Sequence, residues 1–315
     1  MADRTPRLSV VIPSYNHERY VGRAVRSVLS QELDGEGAIE LVVIDDGSRD
    51  GTPDAVRGAM ADFPGADARM IEQENRGAHE AIMRGIDESS GPVLAILNSD
   101  DAYLPGRFGA LLPHVEGTRF GLAFSGLRTI DDDDQPLADG GAWPTWYRGA
   151  CAEADRNPTI GLALWVQNFS VTSGNFVFTR ELYKCLDGFS THKFVHDWDF
   201  LMRSTLLCEP SFVRDTLMEY RVHATNTTEG VRDLLADECR EIVGRYLSLA
   251  SGLDRDHPFD GEGRADPSER NSLALHPSAW PGYFDRFVSS RATLFDGAPL
   301  AAHLGRDRFE AVLPA

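Results

Sequence analysis

Between residues 8 and 130 the chain alternates short β-branched apolar runs with segments whose apolar residues recur at helical spacing, and this alternation restricts the fold more than any other feature. The runs are Leu8 to Ile12, Ile39 to Ile44, Ala68 to Ile71, Val93 to Leu97 and Phe120 to Phe124. Between them, Tyr20, Ala24, Val28 and Leu29 share one helical face, as do Ala78, Ile82, Met83 and Ile86. Strands separated by helices pair in parallel, so the expected class is α/β, with half of a doubly wound sheet in this region. Ligands of such sheets gather beyond the carboxyl ends of the strands, where helix N-termini point. The residues there are Pro13 to Asn16, Asp45 to Ser48, Glu74 to Gly77 and Asn98 to Asp101. All four ends are polar, and three carry acids.

The sharpest of these ends is LNSDD, residues 97 to 101. Two adjacent carboxylates abutting a buried strand repel each other and cost stability unless a cation or a polar ligand offsets them. The first turn has no G-x-G-x-x-G, which counts against a dinucleotide. Asp45 and Asp46, however, occupy the place of a ribose-binding acid, and Tyr15 offers a ring for a base. A single nucleotide fits these features better than a dinucleotide does.

The balance of 31 basic against 49 acidic residues gives a formal charge of -18, which repels nucleic acid and anionic lipid at long range. A phosphate-bearing ligand then needs a metal, a helix N-terminus or a few placed arginines. The four cysteines form no CxxC, so neither a zinc cluster nor a disulfide framework is indicated and a cytoplasmic setting is expected. No apolar run approaches the roughly 20 residues of a membrane-spanning helix, so any membrane role would be peripheral docking on the inner face.

Past residue 130 the texture changes. DDDDQPLADGG, residues 131 to 141, reads as a connection with Asp131 to Asp134 at a solvated hairpin tip, and WPTWYRG, Trp143 to Gly149, as an aromatic loop. NFSVTSGNFVFTR, residues 168 to 180, reads as a strand broken at Ser173 and Gly174, with a short helix from Glu181. HDWDFLMRSTL, residues 196 to 206, reads as a helix with Asp197 near its start, and Ser211 to Val222 as a strand. An amphipathic helix is expected from Thr228 to about Ser251, followed by a linker-like stretch at residues 254 to 270.

Taken in order, VVIPSYNHERYVGRAVRSVLSQ, VVIDDGSRDGT, ENRGAHEAIMRG, LNSDD, HDWDF and YRVHATNTT resemble the family 2 glycosyltransferases of the GT-A fold, over roughly residues 8 to 228. The resemblance implies a Rossmann-like sandwich with a mainly parallel central sheet, plus a helical C-terminal extension. Residues 1–228 would form the GT-A domain, with 8–130 its nucleotide-sugar half and 131–228 its acceptor and catalytic half; 229–315 would be the extension. It further implies an inverting, non-processive transfer of a sugar from a nucleotide-diphosphate sugar, of UDP or GDP type, to a hydroxyl acceptor. No QxxRW-like motif is present, which argues against a polymer-extruding synthase.

The resemblance also assigns residues. Pro13 and Tyr15 would flank the base, Asp46 would contact base or ribose, and Asp45 would support that loop. Asn75, Arg76, Asn98, Ser99 and Asp100 complete the donor side. Asp100, Asp101 and His223 would hold Mn²⁺ or Mg²⁺, an imidazole ligand favouring Mn²⁺. Asp197 would be the catalytic base, while Gly174 and Asn175 stand where the family approaches its acceptor. Two departures are Asn98, at the usual opening aspartate of the acidic motif, and His196, at a usual glutamate. They support an alternative in which the fold persists as a sugar-nucleotide sensor or scaffold. Phosphoryl transfer on an aspartate is a third class, and PSYN offers no acid after the first strand to carry it. Cell-surface polysaccharide or glycoconjugate synthesis is the expected setting, with homo-oligomerisation through the extension left open.

Overall fold

Val10 to Ile12, Leu41 to Ile44 and Leu94 to Leu97 are fully buried. Strands covered on both faces need apolar residues at every position, so these runs are continuous instead of alternating. The computed structural model describes residues 6–35, 37–157 and 159–223, and residues 234, 237–239, 241–243, 245 and 246. The described part of the expected 228–251 segment is helical, while the rest of that segment and the 254–270 linker lie outside the described residues.

The chain divides into two units. The first comprises Met1–Thr145, Ser170–Lys184 and Ser211–His223; the second comprises Trp146–Phe169, Cys185–Pro210 and Ala224–Ala315. Strands β1 (Pro6–Ser14), β2 (Ala38–Asp45), β3 (Asp67–Glu72), β4 (Val93–Ile96), β5 (Ala102–Tyr103), β6 (Leu122–Ile130), β7 (Val177–Thr179) and β8 (Ser211–Arg221) form one sheet in the order β3-β2-β1-β4-β7-β6-β8-β5. The helices are α1 (Val21–Leu29), α2 (Thr52–Ala61), α3 (Ala78–Asp87), α4 (Arg107–Leu111), α5 (Ala142–Cys151), α6 (Glu153–Arg156), α7 (Ile160–Val166), α8 (Arg180–Cys185) and α9 (His196–Ser204).

The β3-β2-β1-β4 half is parallel, as the alternation of runs and helices requires. The other half is mixed: β7 is antiparallel to both neighbours, β5 is antiparallel to β8, and β6 and β8 are parallel. Helix α3 sits so close to β1 that a Cβ on Gly85 would lie 2.3 Å from Val11 Cγ1. The absence of a side chain there is what permits this approach.

Two local expectations change. Residues 143–149 are not a loop but part of α5, where Pro144 falls in the first turn and its missing N–H costs no helical bond. The Trp143 ring packs 5.4 Å from that of Tyr220, between centroids. The fifth run is longer than expected, because β6 continues through Gly126, Arg128 and Thr129 to Ile130 by pairing with β8.

Asn175, expected on the acceptor side, is fully buried and ties the sheet to the preceding turn. Its Oδ1 accepts from the Ser125 amide at 3.1 Å and from Arg107 Nη2 at 3.0 Å, and its Nδ2 donates to the carbonyls of Ser125 at 2.8 Å and Ser170 at 3.2 Å. Truncating it orphans several buried backbone groups, each worth about 1–3 kcal/mol. Asn175→Ala is therefore expected to lower unfolding free energy by about 3 kcal/mol, read from the midpoint of a urea titration with an unchanged slope.

Candidate functional site

The strand ends of the first unit converge as the sequence order demands. β1 and β2 finish in register, Ser14 opposite Asp45, and the chain then enters a set of interlocked turns. Asn16 takes a positive φ of 52°. Its amide donates to Ser48 Oγ at 2.9 Å, and its Oδ1 accepts from the Arg49 amide at 2.8 Å. The His17 amide donates to Thr52 Oγ1 at 2.8 Å. Three short bonds thus fix the loop before α1 against the loop before α2.

Asp45 and Asp46 are both buried, and both accept hydrogen bonds from the surrounding turns. Asp46 is the loop clamp: its Oδ1 accepts from Gln73 Nε2 at 2.7 Å and the Arg76 amide at 2.8 Å, and its Oδ2 from the Gly77 amide at 2.8 Å. Asp45 accepts from the Ser48 amide through Oδ2 at 3.1 Å, whereas its buried Oδ1 has no hydrogen-bond partner among the described residues. Gly47 and Gly77 have positive φ angles of 77° and 96°, the left-handed region that these turns use. Pro13 is buried at the end of β1, Tyr15 is 43% exposed, and Asn75 and Arg76 are exposed. Glu72 pairs with Arg57, and among the described residues the Arg76 guanidinium forms no ion pair.

The acidic motif is shaped by β5. Although only two residues long, β5 pairs with β8 so that Ala102 faces Glu219 and Tyr103 faces Met218. This places Asp100 Oδ2 3.0 Å from His223 Nε2. Arg221, almost fully buried, donates from its backbone amide to Asp101 Oδ1 and from Nε to the Asp100 carbonyl, both at 2.9 Å. Asn98 Nδ2 donates to Thr172 Oγ1 at 2.8 Å and to Asp101 Oδ2 at 3.2 Å. Asn98 therefore bridges the motif to the turn that carries Gly174, whose missing Cβ would stand 3.1 Å from the Asn98 amide nitrogen.

His17, Asp100 and His223 bring three donor atoms within 4.8 Å of one another. Asp101, expected as a metal ligand, stands outside this cluster because both its oxygens are taken by Arg221 and Asn98. Sequence reading stops at Asn16 and misses His17, which stands one residue beyond the polar tetrad. His17 Nδ1 lies 2.8 Å from Ser99 Oγ. The Tyr20 ring stacks on His223 at 5.8 Å and meets His17 edge-on at 5.9 Å, so one aromatic ring braces both imidazoles.

The electrostatics separate the neighbouring acids. Burial works to raise Asp100, but the hydrogen bond with His223 and the two histidines bring it below its ordinary value. Burial, reinforced by the charge of Asp100, pushes Asp101 well above its ordinary value. The hydrogen bond to Asp100 raises His223, whereas burial lowers His17. Neutral imidazole and ionised carboxylate are the forms that ligate a divalent cation.

Asp131 to Asp134 are not merely a solvated tip. Asp133 pairs with Arg19 at 2.6 Å, Asp132 accepts from the Tyr20 hydroxyl at 2.8 Å, and Arg221 binds the Asp131 carbonyl and the Asp134 carboxylate. Arg19, Tyr20, Arg23, Asp132 to Asp134 and Arg221 line a cavity of about 260 Å³.

In the second unit, Asp197 lies in the first turn of α9 and is 9% exposed. Burial pushes its carboxyl up to about 7, against hydrogen bonds from the backbone amides of Trp198 and Asp197 and from the Asn168 side chain. Asp199 is a structural residue, its Oδ2 held by Arg203 Nη2 at 2.6 Å. Trp198 Nε1 donates to the Leu164 carbonyl at 3.2 Å, anchoring α9 on α7.

A half-parallel α/β sheet with acids at its strand ends defines a GT-A fold, and the comparisons with solved structures agree. Staphylococcus aureus TarS 1-349, solved with UDP-GlcNAc, aligns with a TM-score of 0.63 at 14% identity, covering 97% of this chain and 81% of that one. The mannosyltransferase PcManGT of Pyrobaculum calidifontis, solved with GDP-Man and Mn²⁺, aligns at 0.52 with 19% identity, covering 98% and 81%. Residues 9–187, more than half of the chain, match the model of glycosyl transferase family 2, and the protein belongs to that family. The succinoglycan biosynthesis protein ExoO of Rhizobium meliloti is 32% identical over 136 residues, 43% of this chain and 37% of that protein. Three curated relatives are matched over only 39%, 32% and 37% of their own lengths. Among the described residues no helix is long and apolar enough to cross a membrane.

The Arg221 side chain joins the Asp100 carbonyl to the 131–134 turn, so removing it leaves these acceptors without their donor. Arg221→Met is expected to cost about 3–5 kcal/mol of stability, measured by calorimetry or denaturant titration.

Proposed function

We propose that the protein transfers a sugar from a nucleotide-diphosphate donor to a hydroxyl acceptor, with inversion and one residue at a time. The observation that carries this reading is the approach of Asp100 Oδ2 to His223 Nε2, 3.0 Å apart beside the strand ends. A carboxylate beside an imidazole suits a divalent first-row cation such as Mn²⁺, whereas Mg²⁺ prefers oxygen throughout. Such a cation, when bound, offsets the charge that grows on a departing diphosphate.

The chain's own residues do the rest. Tyr15 presents an exposed ring for the base, and Asp45 Oδ1 offers a buried acceptor for a base N–H or a ribose hydroxyl. Asp46 keeps the 73–77 turn in place, on which the exposed Arg76 is available to phosphate oxygens. Asp101, held by Arg221 and Asn98, sets the main chain that aims Asp100.

Asp197 takes the acceptor's proton. An alcohol is a poor nucleophile until a base removes that proton in the transition state, and a carboxyl poised near 7 is matched to the task. Attack from the face opposite the diphosphate inverts the anomeric centre. The UDP- and GDP-sugar complexes of the structural relatives support a donor of one of these types, and the resemblance to ExoO supports surface polysaccharide or glycoconjugate synthesis at the cytoplasmic side.

Transfer or hydrolysis of a panel of UDP- and GDP-sugars, with Mn²⁺ and with chelator, tests the reading. Chelator is expected to stop turnover, and Asp197→Asn to reduce it by about 10²–10⁴. Binding without turnover under every condition would instead support the sensor alternative. The wild-type acid limb should rise with pH through about 7, because only ionised Asp197 accepts a proton. Stability runs the other way. A folded pKa raised above the unfolded value stabilises fully below about 3.8, and this contribution is lost as pH rises through about 7. Asp197→Asn is thus expected to melt above wild type at pH 8 and level with it at pH 4, by differential scanning calorimetry.

A further inference from the structure

The metal reading above needs only Asp100 and His223, the residues that sequence comparison supplies; the geometry adds a third group that no motif assigns. His17 sits in the loop between β1 and α1, and its surroundings are built to hold it still. Its amide is tied to Thr52 Oγ1 at 2.8 Å, and its carbonyl accepts from the amides of Tyr20 and Val21, both at 2.9 Å. Its Nδ1 lies 2.8 Å from Ser99 Oγ, which is itself part of the acidic motif. The rings of His17 and His223 stand 6.2 Å apart, at 87° to each other, with Asp100 supplying an oxygen to the same cluster. The backbone bonds fix the loop at the start of α1, and on the imidazole itself a second imidazole and a carboxylate converge.

We propose that His17 is a direct ligand of the divalent cation, completing a set of two imidazoles and one carboxylate that selects Mn²⁺ and its first-row neighbours over Mg²⁺. The inference rests on the metal reading of the site and goes beyond it in adding His17, from the loop between β1 and α1, as a further ligand. Imidazole binds first-row transition cations well and Mg²⁺ poorly, so each nitrogen ligand widens the gap between them. Because His17 lies in the loop between β1 and α1, a cation held there would be tied to that loop as well as to the loops after β4 and β8, which would couple its binding to the order of those turns.

The test is Mn²⁺ and Mg²⁺ binding to the full chain without donor, by isothermal titration, together with pulsed electron paramagnetic resonance of bound Mn²⁺ to count coupled imidazole nitrogens. Wild type is expected to show two coupled imidazoles, and His17→Gln and His223→Gln one each. Loss of even an outer-shell partner costs roughly 10–100-fold in metal affinity, so His17→Gln should weaken Mn²⁺ by at least about tenfold while changing Mg²⁺ little. If wild type shows a single imidazole and His17→Gln binds Mn²⁺ as tightly as wild type, while Asp100→Asn and His223→Gln do not, the inference about His17 fails and the metal reading stands. If wild type binds no Mn²⁺ at all, both fail. The wild-type nitrogen count needs no variant to fold, so the answer does not depend on the stability of His17→Gln.

Discussion

The pairing of two residues, Ala102 and Tyr103, with Met218 and Glu219 is the contact on which the donor-side geometry depends. It carries Asp100 to His223 across the chain, and it lets Arg221 reach back to the backbone and carboxylate of the acidic motif. The same arginine holds the 131–134 turn, and its guanidinium lies 4.5 Å from the centre of the Tyr20 ring that braces both imidazoles. One buried cation therefore positions two acids, an acidic turn and an aromatic brace. Isolated, none of these pieces would have a defined place.

This arrangement also answers why adjacent acids can follow a buried strand. The two are not equivalent. Asp100 is drawn to its charged form by histidine partners, while Asp101 is buried behind it and pushed the other way, so the repulsion between neighbours is relieved by dividing their roles. A comparable division separates Asp45 from Asp46, where one clamps a turn with both oxygens and the other keeps a buried oxygen without a partner. In α9, Asp199 is spent on Arg203, whereas Asp197 keeps a carboxyl raised by burial. In each pair, one acid is more heavily engaged by hydrogen bonds or ion pairs than its neighbour.

Much of this was readable from the sequence. The parallel half of the sheet follows from apolar runs broken by helical periodicity, and the polar strand ends mark where the candidate site residues gather. What was not readable has physical causes. A two-residue strand such as β5 leaves no periodic trace, and the pairing of β6 through Gly126 and Arg128 depends on a partner distant in the chain. The 142–151 helix opens on aromatics and a proline, which resemble a loop until the first-turn tolerance of proline is considered. Which acid of a pair is free depends on the donors that surround it, here Gln73, Arg76, Gly77, Asn98 and Arg221, and these come from other elements. His17 carried no motif of its own; only its convergence with Asp100 and His223 reveals it.

The central claim is that a divalent cation sits among His17, Asp100 and His223. Anomalous diffraction at the manganese edge, from crystals grown with Mn²⁺ and a nucleoside diphosphate, addresses it directly. The account requires one strong peak bounded by those three side chains, in contact with the diphosphate. Nucleotide bound with no peak there, or a peak held by Asp101 and the 131–134 turn instead, would contradict it.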